Sequence, residues 1–271
     1  MLPLSSHPAR PRGERPLLKV QDLTKVYPSD TVALKDISFD VADGEFLVVI
    51  GLSGSGTSTL LRCINRLIDP TSGRLLLDGL DITAAAQAKL RRIRRQIGMV
   101  VQQFNLVRRS SVLTNVLSGR LGYANPWLSL IGLWPHSERA MRALERVGIA
   151  DKADARADAL SGGQQQRVGV ARALMQEPRL LLADEPVASL DPVLAHTLLQ
   201  YLEQLNMQDG ITVICSLHFL ALVHRCATRV IGLKDRVKVF EGLPQEIDRK
   251  RFKEVYGQEA QEVRASSLEA A

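Results

Sequence analysis

Phe46-Leu-Val-Val-Ile-Gly51-Leu-Ser-Gly-Ser-Gly56-Thr-Ser-Thr-Leu60 is the stretch that decides the fold. Phe46 to Ile50 is a continuous apolar run without polar alternation, the pattern of a strand buried on both faces of a covered sheet. Gly51 to Thr59 is a loop of Gly and Ser, and from Leu60 a helix is expected to run towards Leu67, ended by Asp69 and Pro70. Strand, Gly-rich loop and helix in that order make a phosphate-binding unit. Glycines let the backbone wrap closely around an anion, while amide N–H groups and the helix dipole supply the field. The loop nearly matches the pattern GxxxxGK[ST], which makes Gly51, Ser53, Gly54, Ser55, Gly56, Thr57, Ser58 and Thr59 candidate nucleotide contacts. Ser58 falls where the pattern places the hydroxyl that binds Mg²⁺, whereas Thr57 stands where the lysine belongs.

Working outward, two more apolar strands are expected. Leu180 to Ala183 ends in Asp184 and Glu185, and Ile211 to Cys215 is followed by a helix from about Phe219. Apolar strands alternating with helices imply a parallel sheet with covered faces. Asp184 at such a strand end suits a metal's water shell, and Glu185 suits activation of a water; taken alone, the pair also reads as two solvated acids. Upstream, an edge strand is expected around Leu17 to Val20, with a turn at Pro28 and Ser29. Ile37, Phe39 and Val41 then alternate with polar neighbours, which predicts an antiparallel, half-solvated sheet. Residues 84–163 are mostly helical in pattern, with capping chemistry at Ser137 and Glu138, and Arg229–Leu233 and Val237–Phe240 are short β-rich runs suited to closing the sheet edge. The predicted class is α/β: a P-loop NTPase core of mostly parallel sheet, with an antiparallel β edge subdomain and an inserted helical subdomain. One domain is expected over 17–257, flanked by tails at 1–16 and 258–271.

Composition narrows the function classes. The 271 residues are 45% hydrophobic and 24% charged, ordinary globular usage that argues against disorder and coiled coil. The net charge of +6, from 35 basic and 29 acidic residues, is mild and gives no reason to expect nucleic acid as a partner. Arg91, Arg92, Arg94 and Arg95 form the densest basic run, read as a solvated helix face. Cys63, Cys215 and Cys226 have no zinc or CxxC spacing and read as reduced thiols. The most apolar segment, Trp127 to Trp134, is closed by Pro126 and Pro135 and falls well short of the roughly 18 residues a spanning helix needs.

Leu160-Ser-Gly-Gly-Gln-Gln-Gln-Arg167 is the most specific motif. Ser161, Gly162 and Gly163 at a helix N-terminus make a second anion-binding nest by the same physics as the first. With the loop from Gly51, Gln102 in Val100-Val-Gln-Gln-Phe104, Asp184-Glu185, Ser189-Leu-Asp-Pro192 and His218, the chain resembles the ATP-binding subunits of ABC transporters across about Leu17 to Gly257. Within that family Phe104-Asn-Leu-Val107, Ser118-Gly-Arg-Leu-Gly122, Arg146-Val-Gly-Ile-Ala-Asp-Lys152 and Pro186-Val-Ala-Ser-Leu-Asp-Pro192 are most similar to the phosphonate-import ATPases.

The resemblance implies a dimer of two ATP-binding subunits, each ATP held with Mg²⁺ between one subunit's P-loop and the other's signature residues Ser161, Gly162, Gly163 and Gln164. It also implies integral membrane permease subunits, an indirectly coupled substrate-binding protein, and a peripheral position on the cytoplasmic face of the bacterial inner membrane. Residue by residue, it implies that Tyr27 stacks on adenine and that Gln102 contacts Mg²⁺ and the attacking water. Ser58 and Asp184 would serve the metal, and Glu185 would be the general base. His218 would sense the γ-phosphate, and Asp191 would communicate across the dimer. Without the family, Tyr27 is equally a turn aromatic packing on the sheet. The segment from Asn125 to Pro135, with Trp127 and Trp134, reads equally as a dock for a permease helix or as a locally packed loop.

Thr57 is the departure. A neutral hydroxyl cannot supply the charge a lysine ammonium brings to the β- and γ-phosphates, so weak hydrolysis is expected. Two readings stay open, an importer ATPase with reduced turnover and a nucleotide-binding regulatory or structural subunit without turnover; a soluble ABC ATPase outside transport is the distant third. A natural degenerate subunit, a decayed copy and an engineered replacement all fit the sequence equally.

Overall fold

The computed structural model describes residues 16–101, 105–123, 137–188, 190 and 192–256. The first half of the chain runs β1 (Leu18–Val26), β2 (Val32–Val41), β3 (Phe46–Gly51), α1 (Thr57–Ile64), β4 (Ser72–Leu77), β5 (Leu80–Asp81), α2 (Gln87–Arg94), β6 (Ile97–Val100) and α3 (Val112–Leu117). It continues through α4 (Ser137–Arg146), α5 (Gly162–Leu174), β7 (Leu180–Ala183), α6 (Pro192–Asp209), β8 (Thr212–Ser216), α7 (Leu220–Cys226), β9 (Arg229–Lys234), β10 (Val237–Gly242) and α8 (Arg249–Tyr256). Six strands form one sheet in the order β10-β9-β3-β8-β7-β6, parallel throughout except for the β10–β9 hairpin. Four form an antiparallel sheet in the order β2-β1-β4-β5.

β3 explains its own composition. Phe46, Val48 and Ile50 enter one apolar core with the helices α3 to α8, while Leu47 and Val49 enter a second core shared with β1, β2, β4, α1 and α2. Every residue of the strand is buried, so nothing polar alternates. β7 divides in the same way, with Leu181 and Ala183 in the first core and Leu180 and Leu182 in the second. The chain is therefore an α/β fold, with a parallel sheet between an antiparallel β layer and a helical layer.

Several expectations shift. The strand expected at an edge around Leu17–Val20 is interior: β1 pairs with β2 on one side and β4 on the other. Its second partner begins with exposed Ser72-Gly73, which carries little strand signal. Gly73 takes φ +92, and a Cβ there would lie 2.4 Å from the Asp22 carbonyl oxygen, so the crossing of β4 over the irregular part of β1 requires glycine. α1 begins at Thr57 rather than Leu60, because Gly56 leaves the loop at φ +104 and the helix starts at once; it stops at Ile64, and Arg66 follows at φ +49. Inside the 84–163 stretch read as mostly helical, β6 joins the parallel sheet beside β7. α2, just before it, packs Leu90 and Ile93 into the second core. Only half of the arginine run is solvated: Arg91 and Arg92 are exposed, whereas Arg94 turns inward and donates to the carbonyls of Asn65 and Arg66. The three cysteines are free and buried, and β9 with β10 closes the sheet edge as expected.

Candidate nucleotide site

Parallel pairing sends the carboxyl ends of β3, β6, β7 and β8 to one edge of the sheet, which is where ligands bind in such folds. β3 delivers the loop 51–56. Gly51 must lack a side chain there, since a Cβ would stand 2.3 Å from Ser55 Oγ and 2.6 Å from the Leu233 carbonyl. Leu52, Ser53 and Gly54 are exposed, and Gly54 and Gly56 both take positive φ. Ser55 Oγ is buried with no hydrogen-bond partner among the described residues. A buried hydroxyl left alone costs about 1–3 kcal/mol, and an oxyanion cradled by the loop would satisfy it. Thr57 opens α1, is 5% exposed, and its side chain makes no hydrogen bond among the described residues.

β7 and β8 bring the acids into register with this loop. Ser58 Oγ donates to Asp184 Oδ1 at 2.8 Å. The same carboxylate oxygen lies 3.3 Å from Ser216 Oγ, and Asp184 Oδ2 is 3.9 Å from the Arg62 guanidinium. Asp184 is 3% exposed, so these partners are what make an acid tolerable there. A serine hydroxyl beside a carboxylate oxygen is an oxygen-only donor set of the kind a hard cation such as Mg²⁺ takes, with water and phosphate completing the shell.

Glu185 departs from the strand in the left-handed region, φ +47. A non-glycine residue there costs about 1–2 kcal/mol, and its N–H donates to Ser216 Oγ at 2.7 Å, which holds the turn. The carboxylate then reaches His218, with Oε1 2.9 Å from Nε2. Both side chains keep partial access to solvent, at 21% and 27% exposure. Tyr27 Oη lies 3.5 Å from Thr59 Oγ1, which places the aromatic beside the first turn of α1.

Ser161 caps α5. Its hydroxyl accepts from the Gln164 N–H at 3.3 Å while the Gln164 side chain accepts from the Ser161 N–H at 3.0 Å, a complete capping box. The N–H groups of Gly162 and Gly163 are then the first-turn amides left over. Gly162 is exposed with open space where a Cβ would sit, whereas a Cβ on Gly163 would lie 2.5 Å from Leu194 Cδ1. Gly163 thus packs closely against Leu194 of α6. No hydrogen bond or ion pair among the described residues joins Ser161–Gln164 to the loop from Gly51, to Asp184 or to His218. Gln102, Asp191, Trp127 and Trp134 lie outside the described residues, although the Asp184 N–H donates to the Val100 carbonyl at 2.9 Å, two positions before Gln102.

Sequence reasoning missed three contributors. Ser216 carried a faint signal, as a polar residue closing a buried apolar strand. Arg62 and Tyr256 carried none, because their partners are remote in sequence. Tyr256 Oη accepts from the Gly51 N–H at 3.3 Å, donates to the Leu217 carbonyl at 2.8 Å, and lies 3.5 Å from His218 Nδ1.

The family described as ABC transporter matches residues 34–188. The chain is 54% identical over 256 residues to the phosphonates import ATP-binding protein PhnC of Bdellovibrio bacteriovorus, covering 93% of this chain and 98% of that protein. It is 51% identical to the protein of the same name from Staphylococcus haemolyticus, covering 89% and 94%. Among solved structures it resembles the dimeric bacterial ABC transporter cassette MJ0796, with TM-score 0.75 and 34% identity over 84% of this chain and 98% of that one. The same cassette in a post-hydrolysis dimer bound to ADP and Pi matches with TM-score 0.73.

Proposed function

The chain belongs to the ABC transporter family, and from that premise we propose that it is the ATP-binding subunit of an importer of phosphonates or related phosphorus oxyanions, with hydrolysis slowed by Thr57. The observation that carries the ATPase reading is the hydrogen-bonded cluster Ser58–Asp184–Ser216–Glu185–His218 at the mouth of the Gly51 loop. The importer reading rests on identity of about half to the phosphonate-import proteins over nearly their whole length.

In this reading the loop amides and Ser55 Oγ hold the phosphates, and Tyr27 stacks on the adenine. Ser58 and Asp184, with Gln102, hold Mg²⁺, which when bound neutralises charge on the β- and γ-phosphates. Glu185 accepts a proton from the attacking water as that water's oxygen bonds to the γ-phosphorus. The bond from the γ-phosphorus to the β–γ bridging oxygen breaks, leaving ADP and phosphate. His218, 2.9 Å from Glu185, orients that carboxylate and senses the γ-phosphate. Ser161, Gly162, Gly163 and Gln164 serve the ATP of a second copy, and Asp191 communicates between the two, so a homodimer is the working unit. No helix among the described residues is long and apolar enough to cross a membrane; permease subunits supply the span, a substrate-binding protein supplies the solute, and this chain sits at the cytoplasmic face.

The test is uptake. Cells or vesicles carrying the permease with this chain should take up methylphosphonate in an ATP-dependent way, and cells lacking the chain should not. Loss of a different solute's uptake with methylphosphonate unaffected would overturn the substrate. ATP binding with no turnover even after Thr57→Lys would replace the ATPase with a nucleotide-binding regulatory subunit.

A further inference from the structure

The Tyr256 hydroxyl is shared by three segments far apart in sequence. It closes α8, is 5% exposed, and is stacked on Phe252 at 4.2 Å between centroids. Its single proton is committed to the Leu217 carbonyl at 2.8 Å, and its oxygen accepts the N–H of Gly51, the residue from which the phosphate loop departs. The remaining face of that oxygen looks at His218 Nδ1 at 3.5 Å, with the two rings edge to face at 6.1 Å. The opposite ring nitrogen of His218 meets Glu185. Burial pushes the phenol well above its ordinary range, so the group remains a fixed neutral dipole.

We propose that Tyr256 is a positioning residue of the ATPase site: its hydroxyl ties the base of the phosphate loop to the turn carrying His218, and so makes the last described helix part of the nucleotide site. The geometry leaves little alternative for this oxygen. Gly51 is held in the sheet by its pairing with Leu233 of β9, and Leu217 is itself held by its N–H to the Val49 carbonyl at 3.2 Å. A hydroxyl fixed at both of those points constrains the ring of His218 from the side facing away from Glu185. The inference rests on the roles proposed above for Glu185 and His218.

The test is Tyr256→Phe, which keeps the stacked ring and removes only the oxygen. Imidazole ¹⁵N signals of His218, assigned by their loss in His218→Gln, are recorded in the otherwise unaltered chain, with its melting temperature as a check on folding. Turnover is measured in the same pair of chains carrying Thr57→Lys. The expected result is a changed His218 signal and a kcat lowered about 3- to 10-fold, the worth of one hydrogen bond, with KM for ATP within about twofold. An unchanged His218 signal, or kcat and KM changed equally, overturns the proposal. A changed signal without Mg²⁺-dependent turnover in either chain would keep the tie between Tyr256 and His218 and reject the ATPase role it was assigned to serve. Should Tyr256→Phe not fold, nuclear Overhauser contacts between the Tyr256 ring and the His218 ring in the unaltered chain decide the matter: their presence supports the tie and their absence refutes it.

Discussion

Restoring the ammonium at the mouth of the loop is the sharpest perturbation available. Thr57 is the first residue of α1, buried at 5% exposure, and its hydroxyl has no partner among the described residues, so Thr57→Lys breaks no side-chain hydrogen bond among them. Two pairs around it are already in place: Ser58 is on Asp184 and Glu185 is on His218. The expected gain is therefore that of the missing group alone. A charge-assisted hydrogen bond to phosphate is worth about 1.5–3 kcal/mol, which translates into ATP affinity improved roughly 10- to 150-fold. A preorganised group that stabilises transition-state charge is worth about 2.7–4 kcal/mol, or roughly 10²–10³ in rate. Dissociation constants from a fluorescent ATP analogue and steady-state phosphate release from the assembled complex, with and without Mg²⁺, measure the two separately. A melting temperature kept within a few degrees ensures that the comparison concerns the site and not the fold. Equal turnover before and after the substitution would refute the reasoning, since another group would then have to supply the charge.

Three further outcomes are expected. In the Thr57→Lys chain, Glu185→Gln should lower kcat by roughly 10²–10⁴, the usual worth of a general base, while nucleotide affinity stays within about twofold; near-normal turnover would remove Glu185 from the chemistry. Gly119→Ala places a Cβ 2.1 Å from the Arg172 carbonyl oxygen, a backbone collision expected to cost about 1–3 kcal/mol in urea denaturation, and an unchanged midpoint would show that the two backbones can part freely. Burial raises the Cys63 thiol from its ordinary 9.0 to about 11. The folded chain therefore holds a proton that the unfolded chain releases, and this contribution to stability is full below pH 9 and lost as pH rises towards 11. Cys63→Ala should flatten that part of the stability profile, and an identical profile would contradict it.

Much of the candidate site's local structure was legible because its signals are local. Phe46–Ser58 and Leu180–Glu185 each carry their strand, their turn and their polar ends within one short stretch, and Ser161–Gln164 declares its own cap. What escaped is what depends on partners distant in sequence. β6 is four residues with a glycine in it, where a Cβ at Gly98 would press closely on Leu181 at 3.0 Å and Pro178 at 3.1 Å of the neighbouring segment. β1 looked like an edge because β4 announces itself so weakly. The hydroxyls of Ser216 and Tyr256 look ordinary in sequence, since their meaning lies in Glu185, Gly51 and Leu217, placed beside them by the sheet.

β3 has a consequence for how the molecule can move. Its side chains belong alternately to two cores, so sliding the strand by one residue would exchange every occupant of both layers at once. It is also hydrogen-bonded on both edges, to β8 and β9. The loop 51–56 thus hangs, like the turn after β7, from a strand that neither layer can shift without disturbing the other, so its base is a fixed point of the fold.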